Sequence, residues 1–515
     1  MNSDDPQAEV LAFLSDPATH GIVFADEEVR RIDTHAAVVF LAGNQAFKIK
    51  RRVRYPYLDF STLEKRKAAC EAELAVNRAF APQLYCRVVP ITREASGELA
   101  LDGGGTPVEW AVEMARFDET ATLDHVAEGG GLDLALADTL ARVVAAAHAQ
   151  APVADAQDWP KHLFDWIEQN RGELNEHPAL FAPDEVEALS RQSRAALRRN
   201  EQLLHERGRA GLVRRGHGDL HLGNIVLIDG KPVLFDAIEF DPLIATGDVL
   251  YDLAFLLMDL IERGLPAAAN VVLNCYLAET RRPEDLDGLA TLPLFLSLRA
   301  AIRAKVSAER IDVSADGRDA AVAAARGYFA LAQRLIAPPA PQLVAIGGLS
   351  GTGKSTVARA LAPALPPPPG AVVLRSDVER KALFGKLETE QLAASAYTGD
   401  VNRRVYAALA DKARRVAAAG HSAIVDAVFV RPEERAQIAA AVRQSPVRFR
   451  GLFLAADLDV RVARVLARAH DASDADARIA REQESYDSGP IEWAKIDASG
   501  ELEPTLHAAR RAVNA

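Results

Sequence analysis

Several things are scarce in this chain of 515 residues, and each scarcity closes a class of explanation. Cysteine occurs only at Cys70, Cys86 and Cys275. An odd number of thiols, far apart and without metal-ligand spacing, argues against a disulfide framework or a zinc site and for buried structural thiols in a reducing compartment. No apolar run approaches the roughly eighteen residues that a membrane span requires. The stretch MNSDDPQAEVLAFLSD at the N-terminus is acidic where a secretory signal would be basic, and it has no cleavage site of small residues. Aromatic residues make up 6% of the chain, and no large basic, aromatic-rich stretch is present, which disfavours nucleic acid as a partner. The expectation is a cytoplasmic protein with no membrane partner.

What is present points to several domains. A chain of this length exceeds one ordinary core, given about 100–200 residues per domain. The net charge of −12 is unevenly spread: residues 341–515 hold 24 Lys and Arg against 21 Asp and Glu, which leaves 36 against 51 in residues 1–340. The segment RLIAPPAPQLVAIGG carries Pro338, Pro339 and Pro341, which cannot continue a helix, and then turns into the apolar run Leu343–Ile346. The boundary expected here divides residues 1–336 from 342–515, with 337–341 as a Pro-rich linker. Before it, strand-like runs (VVFLA, AFKIK, EWAVEM) give way to an Ala/Leu-rich helical pattern from about residue 248 to 336. After it, short β runs (LVAI, AVVL, SAIV, FRGLFL) alternate with helical segments, the pattern of a parallel α/β sheet. PALPPPPG (363–370) reads as a stiff connector within that second part.

Two stretches carry chemistry. The first is HGDLHLGN, His217–Asn224, in which Asp219 and Asn224 have the Asp-to-Asn spacing of a kinase catalytic loop. IVLIDGKPVLFD follows it, two β runs around Asp229-Gly230, a strong signal for a two-residue hairpin. Pairing outward from Ile228 and Lys231 sets Asn224 opposite Phe235, beside Asp236, and puts Pro232 opposite Leu227 at a non-hydrogen-bonded pair, where its missing N–H costs no ladder bond. An amide and a carboxylate are thus brought together as hard oxygen ligands near Asp219, the makings of a magnesium site beside a base.

This part resembles the aminoglycoside phosphotransferase family, which has the protein-kinase-like fold; FDAIEFD matches its metal-binding Asp and DVLYDLAF the stretch that follows. The resemblance implies an α+β bilobal domain in which Asp219 is the base that orients the acceptor hydroxyl, Asn224 and Asp236 hold Mg2+, and Asp252 braces the loop from a helix. It further implies that Lys48 meets the nucleotide phosphates and that Glu73 holds that lysine. Lys50 points the same way as Lys48 on its strand and Glu71 competes with Glu73, so both choices stay open. VEWAVEM (108–114) would be the interlobe hinge, His217 would position the loop, and Glu239 is either a further metal ligand or an edge charge. No G-x-G-x-x-G precedes Lys48, only a turn at Ala42-Gly43-Asn44, which argues against an ordinary protein kinase.

The second stretch, GLSGTGKST, Gly348–Thr356, fits the P-loop pattern G-x-x-x-x-G-K-[ST] between a strand-like run and a helix start. Gly348, Gly351, Thr352, Gly353 and Thr356 would form an ATP phosphate cradle at a helix N-terminus, with Lys354 on the β/γ oxygens and Ser355 on Mg2+. Asp377 and Arg380 follow the second strand and Asp426 ends a third; strand C-termini are where an α/β sheet places its site. Arg461, Arg464 and Arg468 recur on one helical face that can close as a lid. This half resembles P-loop kinases of the gluconate-kinase and polynucleotide-kinase type. That resemblance implies Asp377 as acceptor base, Arg380 holding the acceptor, Arg464 and Arg468 stabilising charge on the γ-phosphate, and Asp426 on magnesium through water.

The order of the two parts resembles bacterial bifunctional phosphotransferase/ATP-binding proteins. The implied activity is an ATP- and Mg2+-dependent kinase with two phosphoryl-transfer sites, each acting on a small-molecule hydroxyl. A regulatory ATP-binding pair and a kinase acting on nucleic-acid ends are the competing readings.

Overall fold

The structure, a computed structural model, describes residues 7–21, 28–55, 58–312, 317–388, 390–467, 473–474 and 476–514. Its contacts group into two compact units, one of residues 1–156 with 210–256 and one of residues 157–209 with 257–515.

The first unit is built on a six-stranded antiparallel sheet of β1 (Arg30–Asp33), β2 (Ala37–Ala42), β3 (Gln45–Lys50), β4 (Tyr85–Arg93), β5 (Leu99–Leu101) and β6 (Thr106–Ala115), in the order β1-β2-β3-β6-β4-β5. The two-residue side-chain period sorts each strand onto two faces. Phe47, Ile49 and Ala111 pack with Val10, Leu11 and Leu14 of the N-terminal helix. Ala46, Val112 and Met114 pack on the other face with Cys70 of α1 (Leu63–Asn77). The segment 108–114 lies inside β6, where residues 111–114 pair with β3 on one side and β4 on the other. It is therefore the strand that was expected there. The loop expected to carry chemistry is followed by the hairpin β7 (Ile225–Ile228) and β8 (Lys231–Leu234), and then by α2 (Val249–Glu262). The cysteine expectation holds for two residues: Cys70 and Cys275 are buried, but Cys86 is exposed. Cys86 falls at the register shift between Tyr85 and Arg87, where β4 bulges and the alternation of faces is interrupted.

The second unit begins with helices Trp159–Asn175 and Pro183–Arg209 and continues through α3 (Pro266–Thr280), Leu292–Glu309 and Arg318–Ile336. The helical pattern from residue 248 to 336 is thus present. Its sheet contains β9 (Gln342–Gly347), β10 (Val372–Arg375), β11 (Ala423–Asp426), β12 (Arg448–Ala455) and β13 (Ala494–Asp497), all parallel, in the order β10-β11-β9-β12-β13. Val344, Ile346, Ile424 and Leu452 of the sheet pack with Val357 and Leu361 of α4 (Lys354–Leu361) and with Leu506 and Val513 of the last helix. The remaining elements that carry side chains of interest are α5 (Ser376–Leu383), α6 (Gly399–Ala418) and α7 (Leu458–Leu466). The fold is therefore a kinase-like α+β lobe structure joined to a parallel α/β P-loop sheet. No helix of the described residues is long and apolar enough to cross a membrane.

Candidate functional site

On β3, Lys48 and Lys50 share the face that meets α1, because Phe47 and Ile49 are taken by the opposite core. Both lysines converge on Glu73. Lys48 Nζ lies 2.7 Å from Glu73 Oε1 and 2.6 Å from Asp236 Oδ1. Lys50 Nζ lies 2.7 Å from Glu73 Oε2 and pairs with Glu239. Glu71, the alternative to Glu73, is at the surface beside Lys67. Burial disfavours charge on Glu73, yet the two ammonium groups outweigh it and hold the carboxyl below its usual range. Burial likewise works against Lys48, and the carboxylates of Asp236 and Glu73 hold its pKa well above that of an ordinary lysine. Burial pushes Glu239 up despite Lys50. Lys48 thus joins Glu73 to Asp236, whereas Lys50 joins Glu73 to Glu239.

The loop 217–224 is pinned from below. Asp252, on α2, accepts the backbone N–H of His217 through Oδ2 (2.8 Å) and that of Gly218 through Oδ1 (3.0 Å), and His148 Nε2 lies 3.3 Å from Oδ2. Burial lowers the pKa of His217, whose Nε2 is 2.9 Å from the Phe235 carbonyl. At the mouth of the loop, Asn224 Nδ2 donates to Asp219 Oδ2 (2.9 Å) and to the Asp219 carbonyl (3.0 Å), and His221 Nε2 lies 3.4 Å from Asp219 Oδ2. The hairpin has the expected register, Leu227 opposite Pro232 and Ile228 opposite Lys231, and the Phe235 N–H donates to the Asn224 carbonyl at 3.0 Å. Asp236 has φ +58°, uncommon outside glycine, and is held there from both sides. Its N–H donates to the Tyr85 hydroxyl (3.1 Å), and Asn77 brackets the next residue, accepting the Ala237 N–H (2.7 Å) and donating to its carbonyl (3.1 Å). Sequence reasoning missed Tyr85, Asn77, His148 and His221. Only Asn77 left a signal, one helical turn after Glu73.

In the second unit the run 348–353 joins β9 to α4. Gly348, Gly351 and Gly353 have φ of +140°, +88° and +87°. A Cβ on Gly348 would stand 2.5 Å from the Leu454 carbonyl oxygen, and one on Gly351 2.5 Å from that of Arg461, so neither position admits a side chain. The Thr352 hydroxyl donates to the Leu349 carbonyl (2.8 Å) and Lys354 Nζ donates to the same oxygen (3.1 Å). The Ser355 hydroxyl donates to Asp426 Oδ2 (2.5 Å) and accepts from Arg375 Nη2 (3.2 Å). Gly351, Thr352, Gly353, Lys354, Ser355 and Thr356 line one cleft of about 1060 Å³ together with Asp377, Arg380, Asp426 and Arg464.

Burial, and then the charge of Asp426, push the Asp377 carboxyl above its usual range, while Arg375, Lys354 and a hydrogen bond from Ser473 act against that rise. Arg380 Nη1 donates to the Ala396 carbonyl (2.8 Å), with the guanidinium 4.8 Å from the Tyr397 ring centroid. Of the arginine face, Arg464 donates to the carbonyls of Ala498 and Gly500, both at 2.7 Å. Arg461 is buried and structural: it donates to the Ser350 carbonyl (2.9 Å) and the Ala480 carbonyl (2.8 Å), holding the P-loop in place. Arg468 lies outside the described residues. Arg375, and Gln483 accepting the Ser350 N–H at 2.7 Å, are further contributors not foreseen from sequence.

Among the described residues no group of three or more His, Cys, Asp or Glu could hold a metal ion. Mg2+ is usually bound through one or two protein oxygens completed by phosphate oxygens and water. The donor sets here, Asn224 with Asp236 and Ser355 with Asp426, are of that hard-oxygen kind. Gly351, Thr352 and Gly353 line the cleft where α4 begins at Lys354, and a helix N-terminus of this kind fits a phosphate.

Two families match separate stretches of the chain. The Phosphotransferase enzyme family matches residues 46–286 and an AAA domain family matches residues 343–488. A protein of Mycobacterium tuberculosis and one of Mycobacterium bovis, both described as uncharacterized, are each 30% identical to this chain over 489 residues, covering 92% of it and 93% of the relative. Among solved structures, a choline/ethanolamine kinase family protein from Mesorhizobium loti is 14% identical with a TM-score of 0.36, covering 63% of this chain and 95% of that one. A gluconokinase from Sinorhizobium meliloti is 19% identical with a TM-score of 0.25, covering 34% and 95%. Likenesses at that level add nothing to the assignment. The chain belongs to the family of those mycobacterial proteins, and it is itself an ATP-using enzyme of kinase or phosphotransferase kind with an N-terminal aminoglycoside-phosphotransferase-like domain and a C-terminal AAA/P-loop NTPase-like domain.

Proposed function

We propose that this protein transfers the γ-phosphoryl group of ATP, with Mg2+, to small-molecule hydroxyls at two sites, one in residues 1–336 and one in residues 342–515, with 337–341 as the linker between the two catalytic modules. The observation that carries the reading is the convergence of Lys48 on Glu73 and Asp236, with Asn224 bonded to Asp219 beyond the same hairpin. In the first site Asp219, oriented by Asn224, takes the proton of the acceptor hydroxyl. Lys48 steadies the phosphates while Glu73 fixes its position, and Asn224 and Asp236 would hold the metal. In the second, the backbone N–H groups of the glycine turns and Lys354 bind phosphate, with Lys354 leaving the Leu349 carbonyl to do so. Ser355 would hold the metal, with Asp426 behind it. Asp377 takes the acceptor proton, Arg380 holds the acceptor, and Arg464 and Arg468 meet charge developing on the γ-phosphate. Bound magnesium spreads and neutralises charge on the phosphate oxygens.

The reading separates binding from chemistry at the first site. With the P-loop site silenced by Lys354→Ala, Asp219→Ala should keep its affinity for MgATP and lose turnover, because the base touches the acceptor rather than the nucleotide. Asn224→Ala and Asp236→Ala should weaken MgATP binding. Calorimetric titration of the three variants checks this; equal affinity in all three breaks the assignment.

A further inference from the structure

The P-loop sheet has an open edge at β10, and that edge is closed by side chains from the part of the chain matched by the Phosphotransferase enzyme family. Val372 turns its N–H inward to the Ser422 carbonyl (2.9 Å), so the flanking Ala371 carbonyl and Val373 N–H face outward, where a sixth strand would pair. No strand is there. Instead, Asn274 of α3 accepts the Val373 N–H through Oδ1 (2.7 Å) and donates Nδ2 to the Ala371 carbonyl (3.1 Å). Its side-chain amide thus presents the acceptor and donor that a neighbouring strand's backbone would present. Asn270, one turn earlier and buried, donates Nδ2 to the same carbonyl at 3.1 Å. The fit is close: a Cβ on Gly370 would stand 2.7 Å from Asn270 Nδ2. A second tie, one residue past the matched part, joins Asp287 to Arg415 of α6 at 2.8 Å. Helix α3 spans Pro266–Thr280, inside the matched stretch 46–286.

What this edge strand positions is the acceptor side of the P-loop cleft. Its last residue, Arg375, reaches Ser355 (3.2 Å) and lies 3.5 Å from Asp426. Asp377 and Arg380 follow directly on α5. We infer that Asn270 and Asn274 are positioning residues of the P-loop site, supplied by the phosphotransferase part of the chain. They replace a strand on β10 and so hold Arg375, Asp377 and Arg380 against the phosphate cradle. The inference rests on the phosphoryl-transfer reading of that site. It also means that a fragment starting at residue 342 carries the catalytic groups but exposes a bare sheet edge, an invitation to self-association.

The test uses the full-length chain with Asp219→Ala in the background, so that hydrolysis of MgATP with water as acceptor reports the P-loop site. Hydrogen exchange is followed in peptides covering 371–380 and 348–356. In Asn274→Ala, exchange around Val373 should quicken while the P-loop peptide stays as it was. Turnover number should fall about tenfold through misplacement of the acceptor side, with KM for ATP within about twofold of the parent. Asn274→Gln keeps the amide and should recover part of the loss. Asn270→Ala should show a smaller fall and replaces Asn274→Ala if that chain does not fold. Unchanged turnover and exchange would overturn the inference, as would a fall in turnover accompanied by an equal loss of ATP affinity and faster exchange throughout. Lys354→Ala in the same background separates the two readings. If it leaves hydrolysis intact, the phosphoryl-transfer reading of the cleft fails; if it abolishes hydrolysis while the asparagine variants change nothing, only the positioning role falls.

Discussion

A carboxylate buried as deeply as Glu73 needs a cation near each oxygen, and it has one on each. The two lysines differ in what they reach next. Lys48 continues to Asp236, whose side chain is 44% exposed and can meet a nucleotide, whereas Lys50 ends on buried Glu239. Lys48→Met should therefore show itself chiefly in MgATP affinity and Lys50→Met chiefly in stability. Removing one partner of a buried ion network typically costs about 3–5 kcal/mol, and Lys50→Met strands Glu239. Its denaturation midpoint should fall accordingly, and adding Glu239→Gln should restore part; an unchanged midpoint in Lys50→Met contradicts the network. The strand period showed that Lys48 and Lys50 share a face, but not which carboxylates lie across from them. That choice depends on residues nearly 190 positions away, which no local pattern encodes. Glu239, read as either a metal ligand or an edge charge, is in fact the partner of Lys50.

The hairpin β7–β8 was fully legible in sequence, because Asp229-Gly230 dictates a turn with positive φ at both positions, observed at +51° and +73°, and the turn dictates the register. The P-loop was legible for the same reason: its glycines are positions that backbone geometry closes to other residues. The arginine face of α7 was only half legible. Helical spacing aligned Arg461 with Arg464, yet Arg461 is drawn inward by the carbonyls of Ser350 and Ala480. Two residues before β11, His421 is buried with Nε2 2.9 Å from the Gly370 carbonyl, and burial pushes its pKa down to about 4. An unfolded histidine titrates near 6.5, so between these values the unfolded chain binds the extra proton. The stability supported by neutral His421 is fully present above about pH 6.5 and is lost as pH falls towards 4, at up to roughly 1.4 kcal/mol per pH unit. His421→Gln should flatten that slope in denaturation curves at pH 7, 6 and 5. A slope equal to that of the parent contradicts the assignment.

At the scale of the whole chain, chemistry and packing draw different boundaries. The proposed catalytic groups divide at the proline-rich run, where helix Arg318–Ile336 ends and β9 begins at Gln342. Packing instead gathers residues 157–209 and 257–336 with the P-loop sheet. Composition and proline spacing reveal the first boundary because it is written in local sequence. The second rests on amides such as Asn270 and Asn274, which in sequence are ordinary polar residues of a helix. On the proposed reading each site nonetheless has its own phosphate lysine, metal ligand and base, and neither borrows a reacting group from the other. The central claim, two complete nucleotide sites in one chain, is tested most directly by the stoichiometry of MgATP binding to the full-length protein and to Lys48→Met, Lys354→Ala and the double variant. The parent should bind two MgATP per chain, each single variant one, and the double variant none. The surviving site should keep its affinity to within the 1–3 kcal/mol typical of coupling between sites. One MgATP per parent chain, or a single substitution that abolishes both in a folded protein, would contradict the account.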